Sequence, residues 1–274
     1  MIETVLNPPP LLPVAPPAKL LVQGHAGKVA RRESIENSLL AALPGKEHRR
    51  LLAGLEPVTL TYGEVLYEPR QTIRHVYFPG ASVVSLLTLA DGHLAVEVGL
   101  IGREGMVGIP LVLGHAASSV RALVQGTGTA MRMATAQFRE AFRRSPPLQQ
   151  ELYRYTHTLM AQISQTAACN RFHVVETRLA RWLLMTHDRV KSDQFHMTHE
   201  FLGHMLGVRR VGVTKAAQAL QKRKLISYSR GDITVLDRRG LEAAACACYS
   251  VVRDMHDGAR ARRATHRTRI AAAA

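Results

Sequence analysis

Three cysteines in 274 residues are too few for a disulfide framework. There is no C-x-x-C pair, and Cys246-Ala-Cys248 is too short and too isolated to supply a zinc or iron–sulfur site. A reduced, cytoplasmic protein is the economical expectation. No apolar run approaches the roughly 18 residues a bilayer span requires, so no membrane role is expected. The N-terminal segment has Pro8, Pro9, Pro10, Pro13, Pro16 and Pro17 but neither a basic n-region nor an unbroken apolar stretch, which argues against a secretory signal. Glycine-rich phosphate loops and nucleophile elbows are missing too, and no residue set supports an enzyme. Acidic residues are scarce: 21 Asp/Glu against 36 Lys/Arg leave a net charge of +15.

That basic excess is unevenly placed. From Arg171 onward there are 20 Lys/Arg against 9 Asp/Glu, whereas residues 1–170 have 16 against 12. A basic C-terminal part beside a nearly balanced N-terminal part points to a nucleic-acid module joined to something else. The length suits two compact domains. Composition divides the chain into a proline-rich, poorly ordered leader (1–33), a β domain (34–146), a connecting helix (147–170), a DNA-binding domain (171–257) and a basic tail (258–274). The tail carries Arg260, Arg262, Arg263, Arg267 and Arg269, suited to unspecific phosphate contacts.

The β domain opens with a helical patch, Ile35 to Leu43, and a second around Leu51, Leu52 and Leu55. Short strands follow: Val58–Leu60, Val65–Tyr67, Val76–Phe78, Ser82–Leu89, Leu94–Val98, Val120–Val124 and Thr129–Met133, punctuated by glycine-bearing turns. Asp91-Gly92 between two apolar runs is a strong hairpin signal. Seven short strands at this spacing predict a β-roll of jelly-roll type rather than a doubly wound sheet. After Ser145-Pro146-Pro147 the period becomes helical. Leu148, Leu152, Tyr155 and Leu159, continued by Ile163, form a heptad seam whose expected use is a dimer contact; packing on the β domain is the alternative.

The densest signal is Met197 to Leu236. Thr198 is placed to cap a helix with Phe201, Leu202, Met205 and Leu206 on one face, and Gly207 is placed to end it. A second helix near Arg209 turns Val213, Ala216, Ala217 and Leu220 inward and Arg209, Arg210, Val211, Thr214 and Lys215 outward. A helix-turn-helix presents its recognition helix to the major groove in this way. Leu225–Tyr228 and Ile233–Leu236 around Ser229-Arg230-Gly231-Asp232 would form the wing. The expected partner is double-stranded DNA. The fold class is α+β, with an N-terminal β-roll sensor domain, a long dimerisation helix and a C-terminal winged helix-turn-helix.

In this order the parts resemble the Crp/Fnr transcription regulators. The resemblance rests on the Pro79-Gly80-Ala81 and Asp91-Gly92-His93 turns, the G-x-E-G-x-x-G segment Gly102 to Gly108, and the Met197–Ile226 run, and it covers 34 to about 245. It implies a homodimer on a palindromic operator, with RNA polymerase as a further partner. The family's recognition helix carries a serine, a base-reading arginine and glutamate, and a later arginine; here Arg209, Arg210, Val211 and Lys215 occupy those positions. Arg210 retains guanine-reading chemistry, Val211 suits a thymine methyl instead of a cytosine amine, Lys215 suits a phosphate, and Thr198 lies near the backbone. The operator should therefore differ from the family's best-known one.

Cyclic-nucleotide binders of the family pair a glutamate-bearing glycine turn with an Arg-Ser or Arg-Thr dipeptide. Gly102, Glu104 and Gly105 keep the turn, but Ser118 and Ser119 replace the dipeptide, with Arg121 following. These six residues are the candidate effector pocket. Without the arginine a cyclic phosphate would lack its countercharge, so cyclic AMP is not expected. An Fnr-type iron–sulfur cluster lacks its N-terminal cysteines, and His75, His93 and His115 are read as structural rather than haem ligands. His196, His199 and His204 do not fit a zinc-protease helix, because the last two are five apart. The expectation is a dimeric regulator without cofactor, whose roll passes an unidentified signal to the recognition helices. A constitutive DNA binder with a ligand-free roll, a cyclic-nucleotide-responsive regulator, and a cyclic-nucleotide module acting on a protein partner are the alternatives.

Overall fold

The structure, a computed structural model, describes residues 37–90, 94–190 and 192–258. The proline-rich leader, Ile35, the Asp91-Gly92-His93 turn and the basic tail beyond 258 lie outside the described residues. Asn37 caps the short helix α1 (Ser38–Ala41), accepting from the Leu39 and Leu40 amides, while its Nδ2 donates to the Pro79 and Gly105 carbonyls at 2.9 Å. Helix α2 (Gly45–Leu52) follows.

All seven strand candidates form, with ends shifted by a few residues: β1 (Glu56–Leu60), β2 (Val65–Tyr67), β3 (His75–Pro79), β4 (Val83–Ala90), β5 (Leu94–Ile101), β6 (Arg121–Gly126) and β7 (Gly128–Ala134). They pair antiparallel in two sheets, ordered β1-β7-β3 and β2-β6-β4-β5. The β4–β5 pair runs to Ala90 opposite Leu94, which is the hairpin read from Asp91-Gly92. Strand β4 shows why its sequence is nearly continuous in apolar residues. Val84 and Leu86 face the roll interior, whereas Val83 and Leu87, on the other side of the pleat, join the core of the C-terminal domain. Leu100 and Leu123 join it as well. The two domains therefore share a packed layer across the four-stranded sheet.

Helix α3 (Thr135–Arg144) leads to α4 (Pro146–Phe172), whose start is set by Ser145 accepting from the Leu148 amide and by proline in the first turn. The heptad seam is corrected here. Leu148, Leu152, Tyr155 and Leu159 are buried in the roll's own core and Ile163 packs against it, so this face is not open to a partner. Burying each such side chain is worth about 2 kcal/mol, and the sheet supplies the apolar surface at hand. The outward face of α4 instead carries Tyr153, His157, Met160, Ser164 and Ala167, with Tyr153 53% and Met160 61% exposed.

The C-terminal domain comprises α5 (Val175–Val190), β8 (Gln194–His196), α6 (His199–Leu206), α7 (Arg210–Lys222), β9 (Ile226–Ser229), β10 (Asp232–Val235), α8 (Arg238–Ala244) and a helical run over 248–258. The wing gains a third strand, order β8-β10-β9, which the sequence did not suggest. Its hairpin closes one residue later on one side and one earlier on the other than expected, as a two-residue turn with Arg230 and Gly231 both at positive φ. Trp182 of α5 lies in this core. No helix among the described residues is long and apolar enough to cross a membrane.

Candidate nucleic-acid interface

Thr198 accepts from the Phe201 amide at 3.1 Å and starts α6, and Gly207 ends it at φ 60°, ψ 41°. Phe201, Leu202, Met205 and Leu206 are buried below, which fixes α6 against α5 and α7. Helix α7 turns Val213, Ala216, Ala217 and Leu220 into the same core. Its first turn consequently faces solvent: Arg209 at the N-cap, Arg210, Val211 (60% exposed) and Lys215.

Among the described residues Arg209, Arg210 and Lys215 enter no ion pair. Three cations thus sit on one exposed surface around the positive end of a 13-residue helix, an arrangement suited to anions. Thr214 is half-buried, its hydroxyl 3.0 Å from His199 Nδ1 and 3.1 Å from the Arg210 carbonyl. His199 in turn stacks on Tyr228 of the wing, ring centroids 4.1 Å apart. Burial, with the Arg210 charge beside it, lowers the His199 pKa. This trio, which sequence reasoning missed, locks α6, α7 and the wing into one surface. Its signal was present in the 15-residue separation of His199 and Thr214, but nothing local marks such a pair.

The residues assigned to an effector pocket have other partners. Glu104 accepts from the Gly102 amide and pairs with Arg189 of α5 at 2.8 Å. Burial alone would raise its pKa, but Arg189 and His256 outweigh that and hold it below the ordinary value. Gly105 abuts Tyr155 of α4 so closely that a Cβ would overlap the phenol hydroxyl. Ser118 is buried and accepts from the Val120 amide, Ser119 follows it just before β6, and Arg121 pairs with Glu68 at 2.9 Å. Tyr67, buried, stands between the glycine turn and the serines, where burial raises its pKa against the lowering effect of the Gly108 backbone and Ser118.

A buried polar network joins the roll to α5. Glu97 of β5 accepts from Ser85 at 2.7 Å and from the Trp182 indole at 3.0 Å; Ser85 also bonds Gln125, which donates to Thr186 at 3.1 Å. Desolvation raises the Glu97 pKa to about 7, against the lowering effect of Ser85, Arg181 and Trp182.

Of the histidines read against a protease-type site, His196 pairs with Asp232, His199 contacts Thr214 and Tyr228, and His204 is exposed. The isolation of Cys246 and Cys248, in contrast, holds along the chain and not in space. Cys169, His173, Cys246 and Cys248 present four ligand-type atoms within 4.8 Å of one another.

Residues 177–244 match the model of the Crp-like helix-turn-helix domain. Among curated proteins none matches the chain. Similar solved structures include FixK2 of Bradyrhizobium japonicum, with 13% identity over 70% of this chain and 98% of the other and a TM-score of 0.60. The c-di-GMP-responsive global regulator CLP of Xanthomonas campestris shares 15% over 70% and 99%, TM-score 0.59. A CRP/FNR-family transcriptional regulator of Thermus thermophilus shares 20% over 69% and 98%, TM-score 0.58. These likenesses extend the match from the DNA-binding module to the roll and connecting helix as a fold. The chain thus carries a Crp-like helix-turn-helix domain over residues 177–244 and shares its overall fold with Crp/Fnr-family transcriptional regulators.

Proposed function

We propose that this chain is a Crp/Fnr-type transcription regulator that binds a two-fold symmetric DNA site as a homodimer, through the first turn of α7, with a roll that does not hold a cyclic nucleotide. The observation that carries the reading is the set of exposed cations Arg209, Arg210 and Lys215 at the start of α7, which have no ion-pair partner among the described residues. Arg210 reads a guanine, Val211 meets a thymine methyl, and Arg209, Lys215 and Thr198 lie along phosphates. Thr214 contributes by holding His199 and the wing. Dimerisation uses the outward stripe of α4, Tyr153-His157-Met160-Ser164-Ala167, whose spacings of four and three match a second heptad seam opposite the buried one.

The same reading makes the roll a scaffold, because Glu104 and Arg121 are already paired internally. Selection of bound genomic fragments by the full chain, beside Arg210→Ala, tests the proposal. The expected result is a two-fold motif in which one guanine per half-site loses preference in the variant, a change of about 1–3 kcal/mol at that base. An identical motif from the variant, or no motif from either protein, would refute the assignment. Met160→Glu should turn the dimer into a monomer by light scattering with an unchanged circular dichroism spectrum.

A further inference from the structure

Helix α4 ends at Phe172, and the link to α5 is two residues long. At this junction Cys169 and His173, four apart and so on one side of the helix end, meet the segment that follows α8. Cys169 Sγ lies 3.5 Å from Cys246 Sγ, and Cys248 Sγ lies 3.5 Å from His173 Nδ1. Cys169 and Cys248 are buried, while His173 and Cys246 reach solvent, which gives an ion a route in. We propose that these four side chains bind one zinc ion, as a Cys3His site that pins the end of the connecting helix to the C-terminal segment of the DNA-binding domain.

Three observations carry this. The first is geometry: ligands on one tetrahedral zinc stand ~3.8 Å apart for two thiolates and ~3.5 Å for a thiolate and an imidazole, from bonds of about 2.3 and 2.05 Å. The two measured separations are of that size, and the whole set lies within 4.8 Å, close to the span of one coordination sphere. An iron–sulfur cluster puts its ligands on different irons and needs them farther apart.

The second is charge. Arg178 and Arg181 of α5 are 7% and 6% exposed, and neither has a carboxylate at ion-pair distance among the described residues. Arg178 interacts electrostatically with Cys169 and Cys246, and Arg181 with Cys169. Zinc with three thiolates carries a net charge of −1, the countercharge these two guanidiniums lack. Their Nε atoms also find no hydrogen-bond partner among the described residues, although Arg178 donates to Asn170 and Arg181 to Thr166.

The third is an outer shell. Gln165 donates to Cys248 Sγ at 3.0 Å, as residues around a metal-bound thiolate do. With zinc bound, the 248–258 helix is held on α4 by metal as well as by the contact between His256 and Gln162. The metal therefore supports the angle at which α5 and the recognition helix leave α4.

Metal analysis tests this on the untagged full chain after gel filtration with a chelator, beside Cys246→Ser/Cys248→Ser. The expected result is near one zinc per wild-type chain and almost none in the double variant. Cobalt-substituted wild type should show thiolate-to-cobalt charge transfer and tetrahedral d–d bands, which the double variant loses. Should that variant misfold, His173→Ala, altered at the surface, keeps the question open to a second measurement. It should fold, by circular dichroism, yet release zinc to a colorimetric chelator faster than wild type. Freely titrating thiols without metal, a Cys169–Cys246 disulfide, iron with inorganic sulfide, or zinc retained by the double variant would each overturn the proposal.

Discussion

The β-roll and the recognition helix use their charged side chains in opposite ways. In the roll, Glu104 is paired with Arg189 and Arg121 with Glu68, and Ser118 serves its own turn. On α7, Arg209, Arg210 and Lys215 project without an ion-pair partner among the described residues. A buried charge must give up its partner before it can hold a ligand, and that exchange returns little. An exposed cation at a helix end gives up hydration and gains a phosphate, with release of counterions. On the proposed function, the contrast puts the free energy of DNA binding in α7, while the roll's glycine turn is used to hold two domains together through Glu104 and Arg189.

The largest effect that could break this contrast is expected at the Glu104–Arg189 pair. Arg189→Ala leaves a buried carboxylate without its countercharge, so urea denaturation should show a loss of about 3–5 kcal/mol. Glu104→Gln combined with Arg189→Met should recover most of it. Because the folded carboxyl titrates below its ordinary value of 4.5, the pair's contribution is present above that pH and fades as the pH falls through the folded value. A loss under about 1 kcal/mol would mean that Glu104 is free for a ligand after all.

Glu97 should behave with the opposite sign. Its folded pKa of about 7 exceeds its ordinary 4.5, so in that window the folded state keeps a proton that the unfolded state has released. Stability should fall by roughly 3 kcal/mol as pH rises from 4.5 to 7, then level off. Glu97→Gln, which retains an acceptor for Trp182 and Ser85, should flatten that slope in denaturation curves taken across the window. An unchanged slope would place the titrating group elsewhere.

What could be read from the residues follows from how local each cause is. Thr198 capping α6, Gly207 ending it and the glycine-punctuated strands obey rules spanning four residues or fewer, and they are found where expected. The heptad seam of α4 was legible as apolar, but spacing does not say what covers a stripe; the roll covers it. Strand β8 is three residues long and pairs with a strand nearly forty positions later, so no local pattern marks it. Glu104 and Arg189 are 85 positions apart, and Cys169 and Cys246 are 77 apart. The conclusion that Cys246 and Cys248 are isolated failed for that reason: their neighbours in space are set by the turn after α4 and the length of the C-terminal domain. The two faces of α7 were the most legible feature of this surface, because helical periodicity alone separates the buried Val213 and Ala217 from the exposed Arg210 and Lys215.

The smallest expected effect sharpens the other side of the contrast. Lys215 is exposed and has no ion-pair partner among the described residues, so Lys215→Ala should leave the denaturation midpoint unchanged. In filter binding, affinity should fall by a similar factor on every DNA sequence, and the slope of log K against log salt should become shallower by about 0.9 per phosphate contact removed. Arg210→Ala should instead weaken binding mainly at one base pair, with a comparable change in salt slope only if the side chain also touches phosphate. Should Lys215→Ala change base preference and leave the salt slope intact, the two roles would have to be exchanged: Lys215 would read a base edge, and Arg210 would position the helix on the backbone.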